Sequence, residues 1–108
     1  MRRGDVVRLN PPRASGHEQS GPRYGVIVQS DAMLPRSVVL VAPTSVSARA
    51  ASFRPEIVVR GTPTRVLVEQ LRAVDPARLG RRAGTVTVEE QWAIDDALAT
   101  VLGLVRGG

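Results

Sequence analysis

The chain has 108 residues, 43% of them apolar, with no cysteine and one histidine. That suits a single domain over residues 1–108 whose core needs no disulfides, and it leaves too few ligands for a cysteine-held zinc or a histidine-built metal centre. All 15 basic residues are arginine, against 10 acids, and residues 1–54 hold eight arginines and three acids while the second half balances at seven and seven. One basic face is expected, suited to a polyanion and to nucleic acid above all. With only Tyr24, Phe53 and Trp92 as aromatics, an aromatic platform for stacking bases is not expected. No apolar run reaches membrane-spanning length, and Met1–Asp5 lacks the apolar segment of a signal peptide. The expectation is a soluble, cytoplasmic protein without a cofactor.

Asp5–Leu9 is short and rich in β-branched residues, and Asn10-Pro11-Pro12 stops it. Residues 10–22 then read as a long loop, a feature that in compact domains is functional or disordered. YGVIVQ at 24–29 and SVVLVA at 37–42 read as buried strands. A polar stretch from Thr44 to Ser52 leads to strands at 56–60 and 64–68. Asp75 to Gly80 reads as one helical turn with proline in its first position. Thr87-Val88-Glu89-Glu90 has the spacing of a capping box, and beyond it Gln91, Ile94, Leu98, Val101 and Val105 fall on one stripe with Leu102 beside it. The pattern predicts a helix over 88–102 that ends at Gly103. The fold class is therefore mainly β with a C-terminal helix, a small curled antiparallel sheet closed by that helix.

Four motifs narrow the reading: Arg3-Gly4-Asp5-Val6-Val7; Gly16-His17-Glu18-Gln19-Ser20-Gly21-Pro22-Arg23 before the YGVIVQ strand; Val41-Ala42-Pro43-Thr44-Ser45; and Val68-Glu69-Gln70-Leu71-Arg72-Ala73-Val74-Asp75. In this order and spacing they resemble the MazF/PemK family of bacterial toxins, over roughly residues 3 to 103. The resemblance implies an SH3-like barrel of about five to seven strands. It implies an endoribonuclease that cuts single-stranded RNA, messenger RNA foremost, without a metal. A cognate antitoxin as partner and a homodimer with an RNA groove at its interface are also implied.

The chemistry can be stated from first principles. RNA is cut without a metal when its own 2′-OH attacks the adjacent phosphate, which requires a base, a cation for the crowded phosphorane and a proton for the 5′ leaving oxygen. The products are a 2′,3′-cyclic phosphate and a 5′-OH. Arg23 sits where the long loop meets a strand, and its guanidinium can grip a phosphate through two parallel hydrogen bonds. The resemblance makes Arg23 and Thr44 catalytic, and Glu18 joins them as a proton acceptor or as the residue that orients Arg23.

RNA contacts are expected from His17, Gln19, Ser45, Phe53, Glu69, Gln70 and Arg72. His17 is the one side chain whose ordinary pKa lies near neutrality, so the general base stays open between His17, Glu18, Glu69 and the substrate itself. The PemK/Kid branch carries an Arg-x-Asp pair whose aspartate corresponds to Glu69. Its arginine corresponds to Leu67, so the pair is not intact, and Arg65 is the nearest substitute. Glu69 and Arg72 also read as a salt bridge within a turn. Phe53 reads equally as a stacking residue or as core, and Trp92 as core or dimer packing. The competing functions on such a fold are a gyrase-poisoning toxin or a simple RNA-binding module, neither of which needs Arg23 together with Thr44 and Glu18.

Overall fold

The computed structural model describes residues 1–10, 23–34 and 37–104. In chain order the strands are β1 (Asp5–Leu9), β2 (Tyr24–Ile27), β3 (Val39–Ser45), β4 (Glu56–Val59), β5 (Thr62–Val66), β6 (Arg72–Val74) and β7 (Leu79–Thr85), followed by the helix α1 (Val88–Leu102). They form one antiparallel sheet in the order β4-β5-β3-β2-β1-β7, with β6 also paired to β3.

Successive residues of a strand point to opposite faces, and here both faces are buried. Val6, Val26, Ala42, Ile57, Val66 and Ile94 pack together on one side. Val7, Ile27, Val39, Val41 and Val74 pack on the other. This explains why β1 to β3 read as unbroken apolar runs rather than as an alternation. Close packing also demands Gly25, where an added Cβ would overlap Val41 Cγ1.

The strand that positions the site is β3. On one side it pairs β2 from Val41 to Pro43. On the other it pairs β6 over Val39–Val41 and then β5 at Thr44 and Ser45. The exchange of partners falls at Ala42 and Pro43, and proline has no N–H to give a ladder. Its carbonyl instead accepts from the Leu67 N–H at 2.8 Å. Thr44 and Ser45 are thereby set just past the point where one neighbouring strand gives way to another.

Helix α1 starts as its sequence dictates. The Thr87 hydroxyl accepts from the Glu90 N–H at 3.1 Å and Glu90 Oε1 accepts from the Thr87 N–H at 2.8 Å, a closed capping box. Glu90 Oε2 also accepts from the Val58 N–H at 2.9 Å, covering a donor on the edge strand β4. Gly103 ends the helix at φ 71°, a conformation glycine adopts without strain. Arg3 ties the helix to the sheet, with Nη2 on Asp95 Oδ1 at 2.8 Å and Nε on the Val28 carbonyl at 2.9 Å.

The expected strands and helix all form, with shifted ends: the second stops at Ile27, the third runs on to Ser45, and the fifth begins at Thr62. The expected turn at 75–80 is a 3-10 turn, Pro76–Arg78, capped by the Asp75 carboxylate on the Ala77 N–H. Two strands were not expected. β6 is three residues long, and β7 reads LGRRAGT, without apolar alternation because it is an irregular edge whose register on β1 shifts twice. The helix stripe needs correction as well. Ile94 and Ala97 are buried, but Trp92 is 63% exposed and Val101 and Leu102 also face out, so Trp92 is not core. Val105 lies outside the described residues.

Candidate active site

A cleft of about 820 Å³ opens over the β2–β3–β5 surface. Arg23, Thr44, Ser45, Gln70 and Arg72, which the sequence singles out from three separate segments, all line it. Backbone pairing sets each one. The Arg23 carbonyl accepts from the Leu9 N–H at 2.8 Å, anchoring the residue at the mouth of β2. Thr44 Oγ1 donates to the Tyr24 carbonyl at 3.3 Å, so its hydroxyl oxygen sits one residue along the chain from Arg23. Ser45 Oγ lies 3.3 Å from Ser47 Oγ and accepts from the Ser47 N–H at 3.3 Å. Gln70 closes a 3-10 turn, Val68–Gln70, and Arg72 opens β6.

The cleft is cationic. Arg23, Arg60 and Arg72 line it, and no Asp or Glu is among its described lining residues. Hydroxyls from Thr44, Ser45, Ser47, Thr62 and Thr64 supply neutral donors, and Tyr24, Pro43, Val46, Val59 and Leu67 give an apolar floor. Cations, hydroxyls and apolar surface together fit a strand of phosphates, sugars and bases.

Two expected RNA contacts lie elsewhere. Glu69 turns away from the cleft lining and pairs with Arg54, whose Nε and Nη2 both donate to Oε2, at 2.9 and 2.6 Å. The salt bridge of Glu69 is therefore with Arg54 and not with Arg72. That guanidinium holds the Glu69 carboxyl below its ordinary value near 4.5, which makes it a poorer proton acceptor. Phe53 is half-buried against the core, with the Arg54 guanidinium 5.7 Å from its ring centre. Arg65 does not stand in for the missing arginine at Leu67. It donates to the Arg54 carbonyl at 2.9 Å and lies 3.7 Å from Glu56, while Leu67 itself lines the cleft. His17, Glu18 and Gln19 lie outside the described residues.

The Glu69–Arg54 pair carries a pH prediction. Because the folded-state pKa is lowered, its stabilisation is complete above the ordinary value near 4.5 and disappears as pH falls through the folded value. Glu69→Gln should cost about 1 to 2 kcal/mol at neutral pH, between the worth of exposed and of buried pairs. It should also flatten the loss of stability below pH 4.5. Urea unfolding of both proteins at several pH values measures this, and equal acid slopes would refute it.

Sequence reading missed Arg60, Thr62 and Thr64. Thr62 falls between two expected strands and Thr64 opens the second, and only the register of β4 on β5 brings them to the cleft.

The geometry agrees with what the chain is similar to. Residues 2–102 match the family model described as the PemK-like, MazF-like toxin of type II toxin-antitoxin systems. The chain is 42% identical to the toxin candidate Rv3098A of Mycobacterium tuberculosis, covering 94% of this chain and 97% of that protein. It is 32% identical to Endoribonuclease MazF9 of the same organism, over 96% and 98% of the two. Among solved structures it superimposes on a mycobacterial endoribonuclease in complex with its cognate antitoxin, with a TM-score of 0.79, 23% identity and 97% of each chain covered. At that identity the superposition speaks for the mainly β fold with its C-terminal helix. Family model, curated relatives and fold agree that the chain belongs to the PemK-like, MazF-like toxins of type II toxin-antitoxin systems.

Proposed function

We propose that this toxin is an endoribonuclease that cuts single-stranded RNA in the Arg23–Thr44 cleft by attack of the substrate's own 2′-OH. The observation that carries the reading is the meeting of Arg23 and Thr44 at one wall of a cleft whose described lining has arginines and hydroxyls but no carboxylate. In the reaction the 2′-oxygen bonds to phosphorus and the bond from phosphorus to the 5′-oxygen breaks. A base of the His17–Glu18 pair takes the 2′ proton and, once protonated, returns one to the 5′-oxygen. Arg23 holds the charge that grows on the non-bridging oxygens. Thr44 turns its hydroxyl from the Tyr24 carbonyl to the phosphate, and Ser45, Gln70 and Arg72 hold the flanking strand. Where His17 is the base, Glu18 orients Arg23.

The natural inhibitor would be a cognate antitoxin whose acidic segment fills the same cationic cleft. The toxin works in the cytoplasm, as a homodimer, where cutting messages stops translation.

Incubation of the antitoxin-free protein with a long single-stranded RNA should give discrete fragments, and the same RNA annealed to its complement should stay whole. Uncut single strands from a preparation that still arrests growth would replace this reading with a protein-poisoning toxin. Thr44→Val, which keeps the shape and deletes the hydroxyl, should slow cleavage by roughly 10- to 100-fold. A rate within twofold of the wild type would remove Thr44 from the mechanism.

A further inference from the structure

The two-residue turn between β4 and β5 contradicts its own chemistry. Val59 pairs with Thr62, so Arg60 and Gly61 form the whole connection, and Arg60 stands at φ 51° with Gly61 at 83°. Tight hairpins of this kind favour asparagine, aspartate or glycine at the first central position and glycine at the second, so Arg60 is the residue out of place. Arg60 is the one residue other than glycine at positive φ among those described. Local rules of this kind are broken where a side chain has other work.

The surroundings of Arg60 leave its guanidinium facing the cleft. The arginines that flank Arg60 in sequence are bound within the fold, Arg54 to Glu69 and Arg65 to Glu56 and the Arg54 carbonyl. Arg60 is exposed, lines the cleft, and makes no ion pair among the described residues. Between it and the catalytic wall runs β5, whose Thr62 and Thr64 share a face and both line the cleft. Thr44 pairs with Val66, so Arg60 lies beyond the far end of a strand about 14 Å long at ~3.4 Å per residue. That length separates the turn that carries Arg60 from the backbone at Thr44.

We propose that Arg60 is a second anchor for the RNA backbone. It binds a phosphate remote from the one being cut, so that longer strands bind better than short ones. The proposal rests on the ribonuclease reading above.

The test compares wild type, Arg60→Gly and Arg60→Lys. Glycine suits the turn better than arginine, so its melting temperature should be no lower than that of the wild type, and any loss of binding is then not a loss of fold. The probe is a single-stranded RNA with every 2′-OH methylated, which cannot be cut, in a long and a short form, titrated over a range of salt. Arg60→Gly should weaken binding of the long form about five- to tenfold and lower the salt slope by about 0.7. Arg60→Lys should keep the slope, and the loss should shrink with the short form. Wild-type affinity and slope in Arg60→Gly would overturn the anchor alone. Failure of the wild type to cut unmodified RNA, run in parallel, would overturn the ribonuclease reading on which the anchor stands.

Discussion

Arg23→Ala should lower the rate of RNA cleavage by about a thousandfold or more, the effect of removing a charged donor aimed at a phosphoryl transition state. That corresponds to about 4 kcal/mol of lost stabilisation. The loss should fall on kcat more than on KM, because the extra negative charge exists only in the transition state. Arg23→Lys should recover part of the rate, since it restores the charge without the two parallel donors. Folding should be little affected, because the side chain is exposed at the mouth of the cleft. Single-turnover kinetics beside thermal melts separate the two effects. A variant that cuts within tenfold of the wild type would show that the cation at this site is not Arg23.

The second large effect is on stability. Ile94 is fully buried where α1 closes over the sheet, among Val6, Val26, Ile57 and Val66. Ile94→Ala removes three carbons from a site walled by a β-sheet that cannot collapse around the gap. A cost of about 3 to 4 kcal/mol is expected, which lowers the melting temperature by roughly 15 °C in a domain of this size. Trp92→Ala, two residues away on the same helix, should cost well under 1 kcal/mol in the free chain, because that side chain is already 63% exposed. Similar losses at the two positions would mean that α1 packs with a different face.

The contrast between Ile94 and Trp92 shows what a sequence can and cannot disclose. Periodicity places the helix, and the Thr87–Glu90 capping box and Gly103 set its ends. Which side of a wide apolar stripe meets the sheet depends on the curvature of the sheet, and residue spacing does not encode it. β1 to β5 were legible because β-branched runs stop at prolines, glycines and polar stretches. β7 was not, since an edge strand with shifted register needs neither alternation nor apolar residues.

The site divides in the same way. Arg23, Thr44, Ser45, Gln70 and Arg72 each sit in a motif that resembles the family, and the structure gathers them in one cleft. Glu69 and Phe53 belong to equally suggestive segments, but Arg54, 15 residues from Glu69 in sequence, takes both: it pairs with the carboxylate and lies over the ring. No local pattern reveals a partner at that separation. Arg60 escaped for the opposite reason. In the sequence it is the last residue of the strand expected at 56–60, and only its backbone angle and its place in the cleft mark it out.

The proposed reaction uses the substrate's own 2′-OH as nucleophile, in a cleft whose cation is Arg23. The most direct test is end-group analysis of the fragments made from a long single-stranded RNA by the wild type in excess EDTA. The fragments should carry 2′,3′-cyclic phosphate and 5′-OH ends, with no cut at a position whose 2′-OH is replaced by hydrogen. Fragments that carry 5′-phosphates and 3′-OH ends, or cleavage that continues at the 2′-deoxy position, would contradict it.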